Sequence, residues 1–206
     1  QGYWLNNLVK VCRNRHVWTG FILIFGSGGG YLAFAGLWGV PFLINHFGFS
    51  SNIAINHTTL MLLGMAIGSL SIGIISDKTR KRKIPAIITQ ALYLLFWPAM
   101  FLESAPPLYL SYPLFFIAGF CCAGFTLSWT TAKDNTPHHL SGTAMSLVNC
   151  GAFLGAGLLQ PLFGVIITEP SGQSIYINGI PLFFIFTLLS LISCFFIKDP
   201  DRIDHA

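Results

Sequence analysis

Six apolar stretches, each long enough to cross a bilayer, leave this chain few ways to fold. They run over about residues 17–46, 53–76, 84–102, 108–132, 141–167 and 176–197. A spanning helix needs about 20 mostly apolar residues. Inside hydrocarbon every backbone N–H and C=O must be bonded internally, so runs of this kind are helices. They are too long and too uniformly apolar for the alternating segments of about ten residues that build outer-membrane barrels. The chain is 53% hydrophobic and 9% charged, whereas a soluble domain, whose surface must face water, carries about 25% charged residues. The sequence therefore predicts an all-α polytopic membrane protein covered by the lipid bilayer.

Charge sets the orientation. With the six spans alternating up and down, every Lys and Arg falls on one side. The opposite loops, "HFGFSSN", "LESAPPLY" and "TEPSGQSIYINGIP", hold none. By the positive-inside rule the basic side is cytoplasmic, and both termini lie there. The net charge of +4 is accounted for by topology, and no nucleic-acid partner is expected. None of the six stretches reads as a cleavable leader. Residues 1–16 are read as a cytoplasmic linker in which Trp4, Leu5, Leu8, Val9 and Cys12 fall at helical spacing, giving an amphipathic segment on the membrane face. Residues 17–197 form the bundle, and 198–206 a polar cytoplasmic tail. Cys12 is placed in the cytoplasm, and Cys121, Cys122, Cys150 and Cys194 within spans as free thiols. Neighbours on a helix diverge by about 100°, so Cys121 and Cys122 make no metal site. No metal and no cofactor is expected.

Two spans carry irregularities. A straight helix over 17–46 would run about 45 Å against a hydrocarbon core of about 30 Å, and it contains "GSGGG" at 26–30 and Pro41. It must tilt, bend or break. Broken helices gather at transporter binding sites, whereas small residues also serve close helix packing; the residues admit both. In the fifth span Gly151 and Gly155 form a packing signal, while Asn149 and Gln160, eleven residues apart, share a face with Met145 and Phe153. Tyr31, Trp38 and Asn45 recur every seven residues on the first span. No carboxylate falls inside a span. Glu103 and Glu169 lie at outer ends, and Asp77, Asp134, Asp199, Asp201 and Asp204 on the basic side. His46 and His57 fall near outer ends and are expected in wet, interfacial surroundings.

Between the second and third spans stands "GIISDKTRKR", which resembles the cytoplasmic hairpin signature of the major facilitator superfamily, G-x-x-x-D-[RK]-x-G-[RK]-[RK]. Gly73, Asp77, Lys78, Lys81 and Arg82 match; Arg80 replaces the second glycine, which predicts a less tight turn. "LWGVPFL" and "HHLSGTAMSLVN" look like the seventh and eleventh helices of bacterial members. The resemblance covers nearly the whole chain. It implies the C-terminal half of a twelve-helix transporter, built as two inverted three-helix repeats, in the bacterial inner membrane. The missing partner is an N-terminal six-helix half, and the absent initiator Met fits that expectation.

The same resemblance implies roles for residues. Asp77 would be a conformational latch against the opposite half, oriented by Lys78, Lys81 and Arg82. The first, second, fourth and fifth helices would border the cavity, which makes Tyr31, Trp38, Asn45, Thr126, Trp129, Asn149 and Gln160 the substrate-facing candidates. Tyr93 and Trp97, on the third span, are assigned to packing. Aromatic rings and amides without a span Arg or Lys suit a neutral or amphipathic small organic solute, not a strong anion. If transport is coupled to a proton, the acid is expected in the other half. The implied function is secondary active transport by alternating access, with no enzymatic activity. Two alternatives stay open. One is an autonomous six-span channel or dimeric small transporter, although Asn-Pro-Ala loops and carrier-type Pro-x-[Asp/Glu] repeats are absent. The other is an intramembrane enzyme, for which Ser27 lacks a mid-membrane histidine.

Overall fold

The computed structural model describes residues 3–168 and 175–200; Glu169, Asp201, Arg202, Asp204 and most of the last outer loop lie outside the described residues. Within them are six helices of spanning length: Arg15–Phe47, Ser51–Thr79, Lys83–Phe101, Leu108–Asp134, His138–Ile167 and Tyr176–Cys194. A short helix, Tyr3–Cys12, precedes them. Val11 is its buried residue, while Leu5 and Val9 of the expected apolar stripe are about half exposed.

The spans fall into pairs that exchange the first three with the last three. Their lengths are 33, 29 and 19 residues, then 27, 30 and 19. Spans one and four are the most enclosed, at 61% and 56% buried, while span two, at 22%, is the least. The principal contacts obey the same exchange, since span two crosses span four and span five crosses span one. Both crossings put backbone against backbone. A Cβ at Gly119 would collide with the Met61 carbonyl, and one at Gly64 with that of Phe116. At the other crossing a Cβ at Gly155 would collide with the Phe25 carbonyl, and Gly29 faces Gly155 directly. Without a hydrophobic driving force between helices in lipid, such close approach is what holds them. The glycines of "GSGGG" thus serve packing, as do Gly151 and Gly155.

The long first span is widened at two places. It stays helical throughout but contains two π stretches, Ile24–Gly28 and Phe34–Trp38. Span four is interrupted by a 3-10 stretch, Ala123–Thr126. An aromatic core gathers around Phe34. Phe34 makes ring contacts with Phe42, Phe96, Trp97, Phe115 and Phe183, and Trp97 stacks on Phe183 at 4.8 Å. The Trp97 indole N–H donates to Thr187 Oγ1 at 2.8 Å. Tyr93 and Trp97 are fully buried packing residues.

His57 corrects the expectation of a wet histidine. It is fully buried, with Nδ1 2.7 Å from the Ile53 carbonyl and Nε2 2.8 Å from Ser111 Oγ. A carbonyl only accepts, so Nδ1 carries a proton, and Nε2 pairs with the serine hydroxyl. The ring ties span two to span four between Phe49, Tyr112 and Phe115. His46 instead approaches the Leu102 carbonyl at 3.1 Å in the outer loop region.

Gly119→Val is expected to lower the melting temperature of the purified chain by several degrees, because overpacking costs about 1–3 kcal/mol. Gly157→Ala, whose added methyl meets nothing within 4 Å, should leave it unchanged or raise it. Equal melting of the two variants would remove the close crossings as the basis of the fold.

Candidate functional site: a charged clasp and an open face

At the basic end, span two closes on Arg80, which adopts the left-handed conformation with φ 51° and ψ 28°. No other non-glycine among the described residues has positive φ. The turn keeps the geometry that favours a glycine, so the substitution in the signature costs backbone energy and does not loosen the hairpin.

Two residues later Arg82 turns inward, 9% exposed. Its Nη1 donates to Asp77 Oδ1 and, at 2.9 Å, to Ser76 Oγ. Its Nε donates to Asp134 Oδ2 at 3.0 Å, on the last turn of span four. The planar guanidinium can serve both carboxylates at once because its donors point in fixed, divergent directions. Burial opposes its charge, but the bonds and field of Asp77 and Asp134 more than offset that and hold its pKa above the ordinary value. A third carboxylate completes the clasp. Asp199, beyond span six, accepts the backbone N–H groups of Arg82 and Lys83 where span three begins. A helix N-terminus leaves such donors unpaired and favours negative charge. Spans two, three and four and the chain after span six are thereby joined by one network. Asp77 itself stays two-thirds exposed, and Lys78 and Lys81 are exposed. Around Gly73 there is open space.

Ser76, Asp134 and Asp199 belong to this clasp and were not singled out from the sequence. One signal was available: in a chain with so few acids, those on the basic side sit at the ends of spans two, four and six.

The cavity candidates are distributed over several neighbours. Tyr31 is 5% exposed and borders a concavity of about 290 Å3 between spans one and two, with Gly36, Thr58, Thr59 and Leu62. Trp38 turns the other way. Its ring lies 5.0 Å from Phe163, and its N–H donates to the Gln160 carbonyl at 3.0 Å. The π stretch Phe34–Trp38 explains the divergence, since a widened i→i+5 turn advances each residue by less than about 100°, and seven residues no longer return to the same face. Asn45 is exposed and donates to the Pro41 carbonyl of its own helix. Thr126 donates to Ala123 O within the 3-10 stretch, and Trp129 meets Phe125 edge to face. Asn149 is exposed, and Gln160 half-buried, on span five. Thr58 and Thr59 join Tyr31 although nothing in the spacing of span two marked them.

A bundle of six apolar helices of spanning length, with a basic hairpin clasped at one end, defines an integral membrane protein. The sequence matches the Major Facilitator Superfamily over residues 8–205. The chain belongs to that superfamily. No curated protein matches it.

Replacing Arg82 with Lys should destabilise the clasp although it keeps the charge, because one ammonium cannot bridge both aspartates and Ser76. Hydrogen bonds to charged groups contribute about 1.5–3 kcal/mol each. The expected readout is faster backbone hydrogen exchange at Arg82–Ile84 and on the last turn of span four. Unchanged exchange would mean that the bridge carries no weight.

Proposed function

We propose that the chain is one half of a secondary active transporter, moving a small neutral or amphipathic organic solute by alternating access against a partner six-helix half. The reading rests on one observation above all. Asp77 is held from behind by Arg82 and yet presents two-thirds of its side chain outward, at the end of the least enclosed span. A carboxylate fixed in that way suits a helix N-terminus on a partner, where it gains about 0.3–1 kcal/mol or more if partly buried. Gly73, one helical turn earlier and with nothing near it, leaves room for that helix to approach. Making and breaking the contact biases closed against open states, which is the latch role of Gly73, Asp77, Lys78, Lys81 and Arg82.

The substrate would occupy the space between the halves. Tyr31, Thr58 and Thr59 offer hydroxyls beside apolar Leu62, while Trp38, Asn149 and Gln160 contribute from the span-five side. Asn45, Thr126 and Trp129 complete the candidate set. Any coupling proton would need an acid from the other half. We place both termini and the hairpin in the cytoplasm and the protein in a bacterial inner membrane, because all Lys and Arg lie at one end.

Two measurements test this. In intact cells, a cysteine introduced at Lys81 in a Cys-free background should resist a membrane-impermeant maleimide, while one at Gly48 should react; the reverse pattern overturns the orientation. Asp77→Asn in the full-length protein should abolish the difference in extracellular and intracellular solutes between expressing and non-expressing cells, with membrane abundance close to normal. Solute profiles that match the unaltered protein would reduce the hairpin to a topological anchor.

A further inference from the structure

We propose a binding groove for an anionic glycerophospholipid between spans one and six at the basic end of the bundle. Midway along, these two spans are in close contact: Ser190 Oγ donates to the Leu23 carbonyl at 2.9 Å, and Gly26 leaves no room for a Cβ against Phe186 and Ser190. Toward the basic end they border a concavity of about 530 Å3 floored by buried Thr19 and Ser193, well inside the range of about 300–1,000 Å3 typical of ligand clefts. Its walls are Ile22, Leu189, Ile192 and Phe196, each 40% or more exposed. Arg15, His16 and Trp18 stand at its mouth, and Arg15 and Lys198 are both close enough to His16 to act on it electrostatically.

The two ends of the groove ask for different chemistry in one molecule. Apolar walls suit an acyl chain, whereas a free phosphate would leave them unused. The mouth suits a phosphodiester, because basic pockets between spans on this side collect anionic headgroups. The positive charge in the lining of the groove itself is that of Arg15, and no carboxylate lines it. Asp134 and Asp199 lie in the adjoining recess with His16 and Lys198, where Asp134 is engaged by Arg82 and Asp199 by two backbone N–H groups. The Trp18 indole donates to Cys12 O at 2.7 Å, fixing the ring at the depth where Trp marks a membrane interface. The site rests on the proposed cytoplasmic orientation of the basic end and is independent of the transport reading.

Intact-protein mass spectrometry of the full chain in detergent, titrated with dioleoylphosphatidylglycerol, tests the groove. The unaltered chain should retain one such lipid in preference to dioleoylphosphatidylcholine. Arg15→Gln, at an exposed position, should weaken retention about fivefold, the size expected from losing one interfacial basic residue. Leu189→Trp, which fills the groove, should weaken it at least as much, with melting of both variants checked for folding. Equal retention by all three chains would show a general lipid coat and overturn the site. Displacement of the lipid by glycerol 3-phosphate would reassign the mouth to a free phosphate. Ready disulfide dimers of Ile192→Cys in membranes would reassign the groove to a second copy of the chain.

Discussion

Everything in this bundle answers to the absence of water around its backbone. Helices satisfy almost all of the peptide groups, and side chains from neighbouring spans bond carbonyls beside three of the irregular turns. At the first widened turn of span one, the Leu23 carbonyl receives the Ser190 hydroxyl. Beside the second, Trp38 supplies an N–H to the Gln160 carbonyl next to Pro161. On span four, the Cys122 carbonyl before the 3-10 stretch is approached by the Gln90 amide at 3.5 Å. The irregularities thus double as cross-links between spans, and they concentrate in the two most enclosed spans.

The internal exchange divides labour among the helices. Spans three and six, 19 residues each, are just long enough to cross about 30 Å of hydrocarbon, and they bring Trp97, Phe183 and Thr187 to the core. Spans one and four carry the breaks. Spans two and five cross their partners through glycines and leave wide faces uncovered. Span two carries both an uncovered face and one acid of the clasp, Asp77 on its last turn, while Asp134 is supplied by the last turn of span four. Arg82 thus couples the ends of spans two and four at the start of span three, and Asp199 ties that start to the chain after span six.

How much of this could be read beforehand differs between fold and site. Hydrophobic length, one-sided charge and the hairpin signature define six helices, their alternation and the superfamily. The site was legible only where a residue's role is local. Arg82 and Asp77 are five residues apart and meet across one turn, so the signature already holds their pairing. Asp134 and Asp199 reach the same guanidinium and helix end from 52 and 117 residues away. Tyr31 and Trp38 failed to share a face because regular helical spacing was assumed across a widened turn. His57 was expected to be wet because position along the chain says nothing about Phe49, Tyr112 and Phe115 closing over it.

By itself the sequence determined that the chain must be helical, how many times it crosses, and which end is basic, because those follow from hydropathy and charge summed over short windows. The tertiary structure decided which carbonyls, rings and carboxylates meet. Contacts of that kind depend on how far each helix is wound, and one extra residue in a turn rotates every later side chain by about 100°. The interhelical packing at Phe34, Ser190 and Trp97 selects that winding, and no local pattern in the chain encodes it.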